Sequence, residues 1–213
     1  CDVTFFRGEA YITLDKHPRK RVRCDCSKYP MTVDQLLKFV MMRSDKNIRT
    51  MFDVKFYGQT QTGPEELRDL NGHLKEISQE MINTVFSKII FPAEHYGILN
   101  KIGFVTFQGG LKLLSAVKYY NPYIFAELIV IFPWTSVSRH FYCLDAVTIG
   151  WKRFNYWKLF PFAVRRIIKE ARKHKLLING GLANSEPEMD WVFRKEFDGI
   201  WTDDILKAKR LGG

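Results

Sequence analysis

The chain has 213 residues, of which 46% are hydrophobic and 15% aromatic. That composition excludes a disordered polymer and is enough for one domain with a sizeable core. Lys and Arg number 33 against 23 Asp and Glu, a formal net charge of +10, which favours anionic partners: phospholipid headgroups, nucleic acid or phosphorylated small molecules.

The chain begins at Cys1, inside a strand-like run, Cys1-Asp2-Val3-Thr4-Phe5-Phe6, with a hairpin partner at residues 10–14. It has no initial methionine and is read as N-terminally incomplete, without a signal peptide. A basic loop follows to about residue 29, carrying Lys16-His17-Pro18-Arg19-Lys20-Arg21-Val22-Arg23 and then Cys24-Asp25-Cys26. Thr32 is suited to cap a helix through Val33, Leu36, Leu37, Val40 and Met41, which recur three or four apart. Residues 51–56 read as a strand. A polar loop with Gly58, Gly63 and Pro64 opens a long helix to about residue 83. Residues 85–91 read as a strand ended by Pro92, and 103–107 as another.

Residues 111–120 read as a helix, and the apolar run 123–132 fits either a strand or a buried helix. Extended to 134, that run contains Glu127 and Pro133 and is too short to span a bilayer. Residues 141–149 are strand-like, 157–173 form a basic amphipathic helix, and 175–179 a short buried strand ended by Gly180-Gly181. A helix over 186–196 and a last strand over 197–202 complete the pattern. Strands alternating with helices argue for a parallel sheet. About seven such strands, plus one preceding Cys1, fit an α/β fold of the TIM-type (β/α)8 barrel, lacking its first strand in this chain. Such barrels run to about 250 residues, with active sites at the C-terminal ends of the strands. No repeat or linker divides the chain, so residues 1–213 are read as a single domain.

Two strand-like runs carry an acidic residue among apolar ones, at Asp2 and at Asp53. A carboxylate is costly to bury unless something positive meets it, and Asp is a poor strand former. Lys55 lies two residues after Asp53 and so on the same strand face. An Asp and a Lys side by side at a strand end suit a metal ion and a phosphate; a structural ion pair is the other reading. Asp203 also stands just after a strand. Basic runs read as solvated surfaces, since no RNA-binding signature, zinc-finger spacing or phosphate loop accompanies them, so nucleic acid is not the expected partner. Of Cys1, Cys24, Cys26 and Cys143, Cys24-Asp25-Cys26 is too tightly spaced for a zinc pair. A disulfide in a secreted protein and buried thiols are both compatible with these cysteines. The aromatics Trp151, Phe154, Tyr156, Trp157 and Phe160 read as packing around a helix, although Lys152, Arg153 and Lys158 beside them suit lipid headgroups.

Several blocks, in order, resemble the sphingomyelinase D (dermonecrotic phospholipase D) family of the glycerophosphodiester phosphodiesterase-like barrel superfamily. Asp2-Val3-Thr4-Phe5 resembles its second strand. His17 followed by Cys24-Asp25-Cys26 resembles its catalytic loop, and Phe52-Asp53-Val54-Lys55 its third strand. Pro92, His95-Tyr96 and Gly103-Phe104 resemble the segment after the fourth. Asp145-Ala146-Val147-Thr148 and Asp198-Gly199-Ile200-Trp201-Thr202-Asp203 resemble later segments.

The resemblance implies a Mg2+-dependent phosphodiesterase or lyase that removes the headgroup from sphingomyelin or lysophospholipids, leaving a cyclic phosphate. It implies Asp2 and Asp53 as metal ligands, and Lys55 as the phosphate contact. His17 would be a catalytic histidine and Asp25 the residue that orients its loop. Asn184 and Asp203 would lie near the headgroup. The family's first histidine and one further acidic ligand would fall before Cys1. The implied protein is secreted, monomeric and works on phospholipid at a membrane surface. The alternatives are an inactive barrel kept as a binding module, and a phosphodiesterase of small soluble glycerophosphodiesters.

Overall fold

The computed structural model describes residues 2–6, 9–13, 31–43, 48–54, 77–131, 133–150, 157–195 and 197–212. These fall in two units, Cys1–Phe125 and Ala126–Gly213. In the first, β1 (Asp2–Phe6) and β2 (Glu9–Thr13) form the expected antiparallel hairpin. Next come α1 (Val33–Met42), β3 (Thr50–Val54), α2 (Gln79–Val85), a π turn over Phe86–Ile90, α3 (Phe91–His95), β4 (Ile102–Thr106) and α4 (Leu111–Tyr120). β1 pairs in parallel with β3, and β3 with β4, giving the order β2-β1-β3-β4.

Local chemistry accounts for α1. The Gln35 amide donates to Thr32 Oγ1 at 3.2 Å while the Thr32 amide donates to Gln35 Oε1 at 2.9 Å, a reciprocal cap that satisfies two otherwise unpaired donors. The helix buries Val33 and Leu37. On its outer side Tyr96 donates to Asp34 at 2.6 Å, tying α1 to the end of α3. In the sheet, the rings of Phe52 on β3 and Phe104 on β4 pack 5.8 Å apart, and both are fully buried.

The strand predicted over 85–91 is helical instead. Ser78 Oγ accepts from the Met81 amide at 3.3 Å and starts α2, which runs into the π turn and then α3 without leaving the helical region. Ile82, Val85, Ile89, Ile90 and Ala93 are buried along it, so the core selects a helical face over β-branched propensity. Pro92, read as a strand terminator, stands in the first turn of α3, directly after the π turn.

In the second unit β5 (Phe125–Val130), β6 (Ala146–Ile149), β7 (Leu177–Gly180) and β8 (Gly199–Ile200) follow one another in parallel, in the order β5-β6-β7-β8. The apolar run at 123–132 is therefore a strand. Between and after these strands lie α5 (Pro161–Lys173), α6 (Glu186–Arg194) and α7 (Ile205–Gly212). Trp157, before α5, is 1% exposed, in keeping with a packing role. Ala183, Met189, Val192 and Ala208 form a local core under α6 and α7. Of the four cysteines only Cys143 is among the described residues; it is buried and its thiol donates to the His140 carbonyl at 3.2 Å. Any disulfide involving the others falls outside the described residues.

One device recurs in this sheet. Asp145 precedes β6, donates its amide to Ala126 O and accepts the Ala126 amide on Oδ2, both at 2.8 Å. Asp198 precedes β8 and does the same to Ile178 of β7, at 2.7 Å each way. Each aspartate therefore fixes the register of its strand from the N-terminal end. Arg172 adds two contacts to the Asp198 carboxylate, at 2.7 and 2.9 Å. Burial opposes ionisation of Asp198, but the Arg172 guanidinium and the Ile178 amide outweigh it and hold the carboxyl below its ordinary value of 3.8.

A carboxyl with a depressed folded pKa stabilises above its unfolded value and loses that contribution as pH falls through the folded one. Asp198→Asn keeps the acceptor for Ile178 and removes the charge. It should lower the melting temperature at pH 7, and the gap from the native protein should close as pH drops below about 4 in a series of thermal melts. Separately, a methyl at Gly180 would stand 2.4 and 2.6 Å from the Val192 methyls and 2.8 Å from the Phe197 ring. Gly180→Ala should cost about 1–3 kcal/mol in urea denaturation.

Candidate functional site

Asp53 stands one residue before the C-terminal end of β3 and is 8% exposed, between Phe52 and Val54 of the core. The parallel register sets Asp2 of β1 opposite Asp53 and Val3 opposite Val54. Two acidic positions, more than fifty residues apart in sequence, thus become neighbours across one strand pair. Partners in a parallel ladder occupy the same face of the sheet, about 4.8 Å apart. Position 53 lies opposite Val105 on its other side. Among the described residues no group of three or more His, Cys, Asp and Glu gathers around a common point. His17, Asp25 and Lys55 lie outside the described residues.

Asn184 and Asp203 are brought together in the second unit, after β7 and β8. Asn184 Nδ2 donates to Asp203 Oδ2 at 2.8 Å. Asn184 Oδ1 accepts from the Asp203 amide at 2.9 Å and from Thr202 Oγ1 at 3.2 Å. The Asn184 amide donates to Glu188 Oε2 at 3.0 Å, as does that of Ser185. Burial opposes ionisation of Glu188, and these amides outweigh it, so its carboxyl stays below the usual range. Asn184 and Asp203 are both exposed, so the pair can meet a ligand. Their mutual bonds already hold the two strand-end loops in one arrangement.

A third acid was not singled out as functional by sequence. Glu127 on β5 is 1% exposed, and its Oε1 accepts from Asn179 Nδ2 on β7 at 2.7 Å and from Trp201 Nε1 beyond β8 at 3.0 Å. The Thr148 hydroxyl on β6 donates to the same oxygen. Two successive strands and the residue that follows β8 therefore converge on one carboxylate oxygen. The signal that marks Asp53 also marks Glu127: a lone acid in an apolar strand. By sequence the run around it fits either a strand or a buried helix.

No family model and no curated protein matches the chain by sequence. Solved structures match it in fold. One, from Silicibacter pomeroyi DSS-3 and assigned as a glycerophosphoryl diester phosphodiesterase, shares 14% identity at a TM-score of 0.57, over 84% of this chain and 55% of that one. A glycerophosphodiester phosphodiesterase from Parabacteroides distasonis ATCC 8503 shares 10% at 0.62, over 99% of this chain and 81% of that one. A third, from Galdieria sulphuraria and assigned to the same activity, shares 12% at 0.60, over 98% and 82%. The likeness to these three structures is one of fold. The parallel α/β units described above are thus consistent with part of a TIM-type barrel. The chain spans 55% of the length of the Silicibacter protein.

Removing Glu127 would break the bonds that Thr148, Asn179 and Trp201 make to its carboxylate. Glu127→Ala should destabilise by about 3 kcal/mol or more and shift the Trp fluorescence, while Glu127→Gln, which keeps an acceptor oxygen, should cost less. Urea denaturation followed by Trp emission measures both.

Proposed function

We propose that this chain is a divalent-cation-dependent phosphodiesterase acting on glycerophosphodiesters or on phospholipids that carry the same diester. The observation that carries the reading is the register that sets Asp2 beside Asp53 at the C-terminal end of β3. In this fold that end of the strands is where chemistry takes place. Adjacent carboxylates repel one another unless a cation lies between them, and a hard cation takes oxygen ligands. The residues therefore fit Mg2+, with Asp2 and Asp53 as its protein ligands. Bound Mg2+ would neutralise the diester and polarise its phosphoryl oxygens.

The remaining roles belong to the chain itself. Lys55 faces the phosphate and stabilises the charge that builds on it as the ester bond breaks. His17 exchanges the proton that leaves the attacking hydroxyl or joins the departing alcohol, and Asp25 orients its loop. Asn184 and Asp203 contact the headgroup. When a hydroxyl of the substrate attacks phosphorus, the headgroup alcohol departs with a proton and the product is a cyclic phosphate. When water attacks, the product is an open phosphomonoester.

The order of the motifs around Asp2, Asp53 and Asp198 supports the finer sphingomyelinase D reading, with its secreted, monomeric enzyme at a membrane surface. The named solved structures support the glycerophosphodiester reading equally well. Headgroup release from glycerophosphocholine, lysophosphatidylcholine and sphingomyelin, with Mg2+ or with EDTA, separates them. Turnover should need Mg2+ and fall on the order of 100-fold or more in Asp53→Ala, checked for folding by circular dichroism. Turnover that survives both EDTA and Asp53→Ala would falsify the cation site. Turnover of glycerophosphocholine alone would exclude sphingomyelinase D.

A further inference from the structure

The second unit exposes large apolar side chains where a globular surface ordinarily hides them. Leu159 is 76% exposed, Phe160 39%, Phe162 80% and Trp134 67%. The fold collects them at one place. β5 to β8 are parallel, so the segments after β5 and after β6 lie at the same end of the sheet. Trp134 follows β5, and the other three precede or begin α5, which follows β6. Arg166 of α5 donates to the carbonyls on either side of Trp134, to Pro133 O at 2.5 Å and to Thr135 O at 3.0 Å. Phe162 lies four residues before Arg166, one helical turn away. Trp134 and Phe162 therefore belong to one apex.

Charge surrounds that apex. Residues 158–173 contain six basic side chains, Lys158, Arg165, Arg166, Lys169, Arg172 and Lys173, and one acid, Glu170. Arg166 pairs with Glu170 and Arg172 with Asp198. Lys158, Arg165, Lys169 and Lys173 are exposed, and among the described residues they form no salt bridge. Glu188 lies within electrostatic reach of Lys158, but its carboxylate accepts from the amides of Ser185 and Asn184, which act on it more strongly. At 1.5 Å per residue, Arg165 stands about 5 Å along the helix from Phe162, and Lys169 about 10 Å. Both distances lie within or at the Debye length of about 10 Å at 0.1 M salt.

We propose that this apex docks the protein on an anionic phospholipid bilayer. Leu159, Phe160, Phe162 and Trp134 enter the headgroup boundary, and Lys158 and Arg165 meet the lipid phosphates and carboxylates. A polyanion such as nucleic acid would be met by the cations and would leave the leucine and phenylalanines in water. A bilayer covers both kinds of side chain together. The anchoring does not depend on the phosphodiesterase reading, and Asp53→Ala should bind vesicles like the native chain.

Sedimentation with vesicles of 30% phosphatidylserine in phosphatidylcholine, and of phosphatidylcholine alone, tests the proposal. The native chain should pellet with the anionic vesicles, less so as salt rises. Leu159→Ser with Phe162→Ser should weaken partition at least about 30-fold, since each removes a buried apolar side chain. Lys158→Glu with Arg165→Glu should weaken it at least about 10-fold, and Lys173→Glu, far from the apex, should change it little. All variants alter exposed positions and should keep the native melting temperature. Vesicle binding that is unchanged in the apolar double variant would overturn the proposal, as would a native chain that fails to pellet at 0.1 M salt. So would equal affinity for heparin in the native and apolar-variant chains together with unchanged vesicle binding, which would identify a soluble polyanion as the partner.

Discussion

A carboxylate inside a sheet must find donors or a cation, and this requirement organises both units. In the second unit three acids meet it in two ways. Asp145 and Asp198 each accept the amide of a neighbouring strand and so set strand register from the N-terminal end. Glu127 accepts from Thr148, Asn179 and Trp201 and so ties β5 to the three strands that follow. Were the buried Glu127 oxygen left unpaired, the desolvation cost would exceed the net gain of an ordinary hydrogen bond. These acids therefore add register contacts to the apolar packing of the four short strands.

The first unit shows the same constraint at the C-terminal end of β3. Asp53 is nearly buried among core side chains, and the register brings Asp2 opposite it. The aspartates at the strand starts serve stability, whereas the pair at the end of β3 lies where a TIM-type barrel carries its reactive groups. Asp145 and Asp198, which open two of the motifs resembling the sphingomyelinase D family, therefore set strand register, while Asp203 at the end of the second motif pairs with Asn184. The proposed cation site draws instead on the motif that contains Asp53.

The helix capped by Thr32 was legible because a capping box and an apolar period lie within a few residues of each other. The strands at 103–107 and 175–179 were legible from short apolar runs bounded by glycine. The segment at 85–91 was not, because Ile89 and Ile90 favour strands locally while the helix that begins at Ser78 places them on one buried face. Among the described residues no helix is long and apolar enough to cross a membrane. The apolar apex beside α5 offers contact with a bilayer surface instead.

By itself the sequence determined the α/β alternation, most element positions, and the places where an acid interrupts an apolar strand. It marked Asp53 and would have marked Glu127 by the same rule. Only the tertiary structure decided what each acid meets. The donors to Glu127 lie 21, 52 and 74 positions away, and Asn184 lies 19 positions from Asp203. Helical and strand periods reach only a few residues along the chain. Contacts across such separations are set by parallel register and by the return of each helix, and no local pattern encodes them.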